Sequence, residues 1–537
     1  EGAAPSVQGA GAPSASSADG GGAGGWVASA FTALDIVRHP LPGCGAPQMV
    51  AFSPDNSFLT YLYSPEGTLS RRLFRYDLAT RREEVLVSVG EQADERALPM
   101  AERLRRERSR ELGLGITRYE WIKSTGELLL PLPDGACVFS FADGSLRTLV
   151  AATYDSPVLD PQVSPDGEHV SFVRDDEVHV VPVARADGGG SQPSRQLTWG
   201  SVPGTVAHGV AEFIAQEEMN RRSGVAWSLD GRMLAYTVVD SGGVELFRIM
   251  HQGKAAVGAE AQEDHAYPFA GKPNVRVRLA VVSVCGGPPV LMDLDCGGGG
   301  PGAGRQDKDE EYLARFLWTG SGVLLAQVQN RRQTRLKLLA FDPSTGARRL
   351  VLTEESATWV NLDHFLTPLH RPHGLASAQA TSAPSDLGAA KVELGGFLWG
   401  SERTGFKHLY QYAGDGTMVA QLTSGEYVVE NVVGVDEERG LVYYMAAVPA
   451  PLEMHLLVTT LYEKAADGTV RPINSGPFPR KITHRSGRHS VVLDHALRSF
   501  VDVHDGLERV PSMSLHSLAH ALSDTYDSTS SDASESA

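Results

Sequence analysis

Cysteine is scarce in this chain of 537 residues, and the four present, Cys44, Cys137, Cys285 and Cys296, are widely scattered. That excludes a disulfide framework. None stands in a Cys-x-x-Cys pair, so no zinc site is expected. Asn-x-Ser/Thr sequons are absent; Asn56-Ser-Phe58 and Asn474-Ser-Gly476 only approach one. A large secreted protein usually carries several. No apolar run reaches the ~18 residues of a membrane-spanning helix. Positive charge is in deficit: 48 Lys and Arg stand against 65 Asp and Glu, a formal charge of −17. That argues against life on nucleic acid or on an anionic membrane surface. Residues 1–25 are almost wholly Gly, Ala, Ser and Pro, without the apolar core of a signal peptide or the arginines of a transit peptide. Residues 1–27 are therefore expected to be a disordered tail, and the protein is expected in the reducing cytoplasm.

Long amphipathic helical patterns are also rare. Short alternating runs take their place, such as Phe58-Leu-Thr-Tyr-Leu-Tyr63, His169-Val-Ser-Phe-Val173 and Leu234-Ala-Tyr-Thr-Val238. Period-2 runs bounded by turn residues predict β-strands. A repeat selects the architecture. Phe52-Ser-Pro-Asp-Asn56, Val163-Ser-Pro-Asp-Gly167 and Trp227-Ser-Leu-Asp-Gly231 are variants of one turn phrase, with looser copies at Trp121, Trp318 and Trp399. Pro presets the turn's second position and Asp closes it with its own side chain. Units of ~40–60 residues, each able to supply four strands, are the blades of a propeller. The expected fold is all-β: one seven- or eight-bladed β-propeller over residues 28–515, with short inserted helices. Residues 186–195, 286–310 and 371–391 read as surface loops. Residues 516–537 read as a disordered acidic tail.

Two segments leave this β grammar, and they are predicted to be helical. Residues 99–112 are rich in helix formers and carry five arginines: Arg103, Arg105, Arg106, Arg108 and Arg110. Residues 209–222 contain the adjacent pair Glu217 and Glu218. Each has a plain explanation, a solvated basic face for the first and surface acids neutralised by Arg221 or Arg222 for the second. Chemistry offers a sharper one. A protonated amine has three donors, and two carboxylates on a short rigid helix can both accept from it. Charge-assisted hydrogen bonds contribute roughly 1.5–3 kcal/mol each. A nearby Arg suits a carbonyl oxygen one peptide unit on. Such a site holds a free peptide N-terminus.

Gly209-Val-Ala-Glu-Phe-Ile-Ala-Gln-Glu-Glu-Met-Asn-Arg221 closely resembles the double-glutamate motif of the dipeptidyl peptidase IV family, above all its bacterial and cytosolic branches. Arg106-Glu-Arg-Ser-Arg110 followed by Gly115-Ile-Thr-Arg-Tyr119 is similar to the family's arginine segment. Tyr267-Pro-Phe-Ala-Gly-Lys-Pro-Asn274, Thr358-Trp-Val-Asn361, Ser401-Glu-Arg-Thr-Gly-Phe-Lys-His-Leu-Tyr410 and Gln421-Leu-Thr-Ser-Gly-Glu-Tyr-Val-Val429 fit later family elements in order. The resemblance covers about residues 28–510. It implies that Glu217 and Glu218 grip the substrate's ammonium and that Arg110 contacts a substrate oxygen, with Arg106 and Arg108 as competitors. The family's aromatic pair after this helix is reduced here to Ala226-Trp227, and an acidic loop is replaced by Asp240-Ser-Gly-Gly243.

The family's chemistry needs a serine on a Gly-x-Ser-x-Gly elbow, with Asp and His partners. No Ser here has Gly two residues away on both sides. The resulting expectation is the propeller half of a dipeptidyl-peptidase-like serine exopeptidase, without its hydrolase domain, without catalytic residues and inactive alone. Expected partners are peptides with a free N-terminus and a hydrolase domain; the resemblance also allows a homodimer. No cofactor or metal is expected, and His484-Arg-Ser-Gly-Arg-His489 reads as a turn. The alternative is a non-catalytic propeller acting as a peptide-binding or scaffold protein.

Overall fold

A computed structural model describes residues 32–37, 46–89, 98–111, 114–184, 193–252, 261–294, 310–370, 395–461, 463–464, 470–471, 479–507 and 509–522. The tail 1–27, residues 186–192 of the stretch 186–195, all of 371–391, and residues 295–309 and 523–537 lie outside them. The sheets form an eight-bladed β-propeller. The blades span residues 48–87, 120–151, 159–196, 206–292, 310–355, 367–421, 429–481 and 488–517 in chain order, so they are numbered 1 to 8.

The Ser-Pro-Asp phrase turns the first strand of a blade into its second. In blade 1 the Ser53 hydroxyl donates to Asp55 at 2.6 Å and accepts from the Phe58 amide at 3.1 Å. Ser228 does the same with Asp230 at 2.6 Å and with the Met233 amide at 2.9 Å. Ser164 repeats it with Asp166 and the His169 amide. The short polar side chains satisfy turn groups that the ladder leaves over. Those hydrogen bonds hold the Asp55 and Asp230 carboxyls below the usual carboxylate range.

One blade cannot bury both of its faces, so blades pack on one another. Eight apolar clusters among the described residues fill the eight junctions. Between blades 4 and 5, for example, Leu279 and Met292 pack on Leu313, Trp318 and Leu324. Phe52 and Leu59 of blade 1 meet Val501 of blade 8 and close the ring. The same seam carries a hydrogen bond from the His495 amide to Asn56 Oδ1 at 3.1 Å.

The structure corrects three expectations. Residues 286–310 are not wholly a loop, because Val290–Met292 is the outer strand of blade 4, held by burial of Met292. Helices are not confined to 99–112 and 209–222: Ala33–Val37 and Leu518–Ala521 are also helical. The folded part does not stop at 515. The last strand, Arg509–Ser517, continues into that second helix, and Leu518 is 1 % exposed against Phe500. An apolar anchor placed right after a strand keeps the chain on the core where composition alone suggested a tail.

Candidate functional site

Each blade's first strand runs nearest the channel, and in blade 4 that strand is broken. Val206–His208 and Val225–Trp227 pair with the same neighbour, Met233–Asp240, at residues 238–240 and 234–236. Only Thr237 separates the two pairings. The Gly209 amide donates to the Thr237 carbonyl at 2.8 Å, and the Thr237 amide donates to the Gly224 carbonyl at 2.9 Å. Residues 210–223 are thus an excursion from the middle of an inner strand, pinched at its neck. A Cβ at Gly224 would lie 2.4 Å from the backbone of Gly209 and Val210, and Gly209 itself has φ +73°. Two glycines are what the neck requires.

Contacts to the excursion arrive from around the ring. Gln162 of blade 3 donates to Ser223 Oγ at 2.7 Å. Arg221 donates to the Leu313 carbonyl of blade 5 at 3.2 Å. Asn220 Nδ2 lies 3.3 Å from His364 Nε2, just ahead of blade 6. The arginine segment between blades 1 and 2 supplies Arg108 and Arg110. Contacts from blades 3 and 5, from the link into blade 6 and from this segment place the excursion on the inner side of blade 4, reaching across the ring.

The helix in the excursion is Phe213–Glu217, a single turn within the predicted 209–222. Glu212 caps it, its carboxylate accepting from the Ala215 amide at 2.5 Å. Arg221 stands 3.5 Å from that carboxylate, and both side chains are buried. Burial pushes the Glu212 carboxyl up and the Arg221 guanidinium down, each partly offset by the other's charge. Arg221 is therefore engaged with Glu212 and with backbone carbonyls rather than with Glu217 or Glu218. Glu217 ends the helix, its side chain 19 % exposed, and Glu218 follows as the exposed C-cap.

The arginine helix is Met100–Arg108. It holds four of the segment's five arginines, and Arg110 follows its C-cap, Ser109. Arg105 pairs with Glu102 and Glu111, and buried Arg106 pairs with Glu102 at 2.8 Å. Arg108 lies over the Phe213 ring at 5.0 Å and donates to Gln216 Oε1 at 3.4 Å. Burial pushes its guanidinium down, offset in part by Glu217, Glu107 and Glu212. Arg110 Nη2 reaches Glu217 Oε2 at 3.2 Å. Of the three arginine candidates, Arg110 is the one that meets a site glutamate. Its backbone carries a further signal. The Arg110 amide donates to the Glu107 carbonyl at 3.0 Å and the Glu111 amide to the Arg106 carbonyl at 2.9 Å. That is the Schellman ending of a helix, whose pivot is usually glycine. Here the pivot is Arg110, at φ +55°.

Sequence reasoning missed Phe213, Gln216, Glu212 and the glycine neck as parts of the site. The glycines flanking the motif, at 209 and 224, were the available signal. Among the described residues, no group of three or more His, Cys, Asp or Glu is placed to hold a metal ion, and no helix is long and apolar enough to cross a membrane.

Comparison with known proteins agrees with this architecture. Residues 131–511 match the family described as the dipeptidyl peptidase IV (DPP IV) N-terminal region. A probable dipeptidyl-aminopeptidase B of Emericella nidulans is 26 % identical over 340 residues, covering 58 % of this chain and 33 % of that protein. A probable dipeptidyl peptidase 4 of the same organism is 26 % identical over 305 residues, covering 55 % and 35 %. The crystal structure of Porphyromonas gingivalis dipeptidyl peptidase 4 shares the fold, with TM-score 0.64 at 22 % identity over 89 % of this chain and 59 % of that one. The chain spans about a third of the length of the curated relatives it matches. By its repeat, its ring and the match over residues 131–511, the chain belongs to the dipeptidyl peptidase IV N-terminal region family.

Proposed function

We propose that this chain is the propeller portion of a dipeptidyl-peptidase-like serine exopeptidase, and that it admits and grips the free N-terminus of peptides. Glu217 and Glu218 receive the ammonium group, and Arg110 turns to the oxygen of the first peptide unit. Bond cleavage belongs to a hydrolase domain acting with the propeller. The observation that carries this reading is the 3.2 Å approach of Arg110 to Glu217 on an excursion that reaches across the ring from blade 4. An arginine in place of glycine at a left-handed helix ending costs roughly 1 kcal/mol. Such a cost fits a side chain kept for binding rather than for stability. In the absence of peptide the guanidinium compensates the Glu217 carboxylate; an incoming ammonium takes over that role and releases Arg110 for the carbonyl.

Isothermal titration with Ala-Pro and with N-acetyl-Ala-Pro tests the reading. The free amine binds and the acetylated form, having lost its cation, does not. If Glu217→Gln with Glu218→Gln leaves that discrimination unchanged, these residues are not the ammonium site. A homodimer is the further partner of this reading. The hairpin Leu246–Met250 with Gln262–Ala266 exposes Leu246 and Met250 by 65 % and 58 %, which favours a covering copy, and sedimentation velocity reads the outcome.

A further inference from the structure

The helix Phe213–Glu217 is one turn long. An isolated helix of that length has no stability of its own, so its direction is set by what packs on it. Glu212 and Arg221 hold its N-terminal end from below. Its first residue, Phe213, is gripped from the sides. The Arg108 guanidinium lies 5.0 Å from the ring centroid, and the Tyr267 ring lies 5.1 Å away at 61°.

Tyr267 belongs to the Tyr-Pro-x-x-Gly element, for which the proposed peptide site has no use. It stands at the base of the hairpin Leu246–Met250/Gln262–Ala266. Its amide donates to the Glu245 carbonyl at 3.0 Å, directly across the hairpin's neck. Its ring also packs on Phe269 at 4.9 Å and on Phe247 at 6.1 Å, and those two pack on each other at 5.6 Å. The turn after it is tied by the Lys272 amide to the Phe269 carbonyl at 2.9 Å. One aromatic side chain thus joins a firmly braced hairpin base to a helix that cannot brace itself.

We propose that Tyr267, acting through Phe213, is a positioning residue that fixes the rotation of the glutamate helix and so aims Glu217. The inference rests on the reading of Glu217 as an ammonium ligand for its consequence, but the mechanical part stands apart from it. Edge-on aromatic contact needs the ring and not the hydroxyl. Tyr267→Phe therefore keeps the function and Tyr267→Leu loses it.

Two measurements on the whole chain separate the proposal from the peptide-site reading. Hydrogen exchange reports the helix without any ligand. The amides of Gln216, Glu218, Met219 and Arg221 all donate within the excursion. In Y267L they exchange about tenfold faster, while Y267F matches the parent. Unchanged exchange in Y267L, or equal loss in Y267F, overturns the proposal. Titration with Ala-Pro reports the consequence, with Y267L binding about tenfold more weakly and Y267F as the parent. If the parent chain does not distinguish Ala-Pro from N-acetyl-Ala-Pro, the ammonium reading falls while the exchange result still judges Tyr267. Should Y267L not fold, F213L removes the same contact from the helix side and carries the same comparison.

Discussion

Arg110 and Glu217 are 107 residues apart in the chain and 3.2 Å apart in space. One ends the helix between blades 1 and 2, and the other ends the single-turn helix that leaves the inner strand of blade 4. The pair is one-sided in its surroundings. The Arg110 side chain is 71 % exposed and the Glu217 side chain 19 %. An ion pair this open to water contributes ~0–1 kcal/mol to stability. Its contribution to folding is therefore small, as the proposed binding role requires.

Arg110→Gly is expected to separate the two. Glycine relieves the left-handed strain at φ +55°, so the variant is as stable as the parent or more stable by ~1 kcal/mol. Binding of Ala-Pro falls about tenfold or more, the loss of one charge-assisted hydrogen bond. Urea unfolding and titration calorimetry measure the two sides. A destabilised variant with full affinity would contradict both parts.

Gly224→Ala tests the neck of the excursion. The added methyl group meets the backbone of Gly209 and Val210 at 2.4 Å, where no flexible side chain can yield. A loss of ~3 kcal/mol or more is expected, in the range of the severe core lesions. Urea midpoints check it, with Gly243→Ala as the control, since nothing lies within 4 Å there.

Arg221→Met is expected to be costly in a different way. It leaves the Glu212 carboxylate buried without its cation. Breaking such a pair from one side costs ~3–5 kcal/mol. The double variant with Glu212→Gln recovers much of that loss, which a double-mutant cycle in urea measures.

Asp363 predicts a pH dependence. Burial raises its carboxyl from 3.8 to about 6, although the Phe365 amide and the charges of Lys407 and Arg315 pull the other way. The folded value lies above the unfolded one, so the folded state is the better proton acceptor. The group's favourable contribution is complete below pH ~4 and is lost as pH rises to ~6, amounting to about 3 kcal/mol. Asp363→Asn removes that slope. The difference in unfolding free energy, variant minus parent, rises between pH 4 and 7 and is flat above it. A difference independent of pH would show that the buried carboxyl does not titrate as stated.

Much of the fold could be read from local signals, for a local reason. The Ser-Pro-Asp phrase is a turn whose bonds lie within six residues, Ser53 to Phe58 or Ser228 to Met233, so composition carries it. The strands beside it alternate because one blade face meets the next. The glutamate and arginine segments were visible as breaks in that pattern. Blade number was not local, because it depends on the wedge between successive sheets. Eight rather than seven was decided where Phe52, Leu59 and Val501 meet across nearly the whole chain. The strand Val290–Met292 and the helix after Ser517 were likewise decided by distant apolar neighbours for Met292 and Leu518.

The site divides in the same way. Residue type and spacing determined that Glu217 and Glu218 share a helix end and that an arginine segment exists. Five arginines within eight residues are indistinguishable by charge alone. Only the tertiary structure sorted Arg105, Arg106, Arg108 and Arg110, because each takes a carboxylate or ring that the packed chain offers. Glu102 and Glu111 claim Arg105, Glu102 also claims Arg106, and Phe213 takes Arg108. The left-handed turn at the helix end then swings Arg110 alone to Glu217.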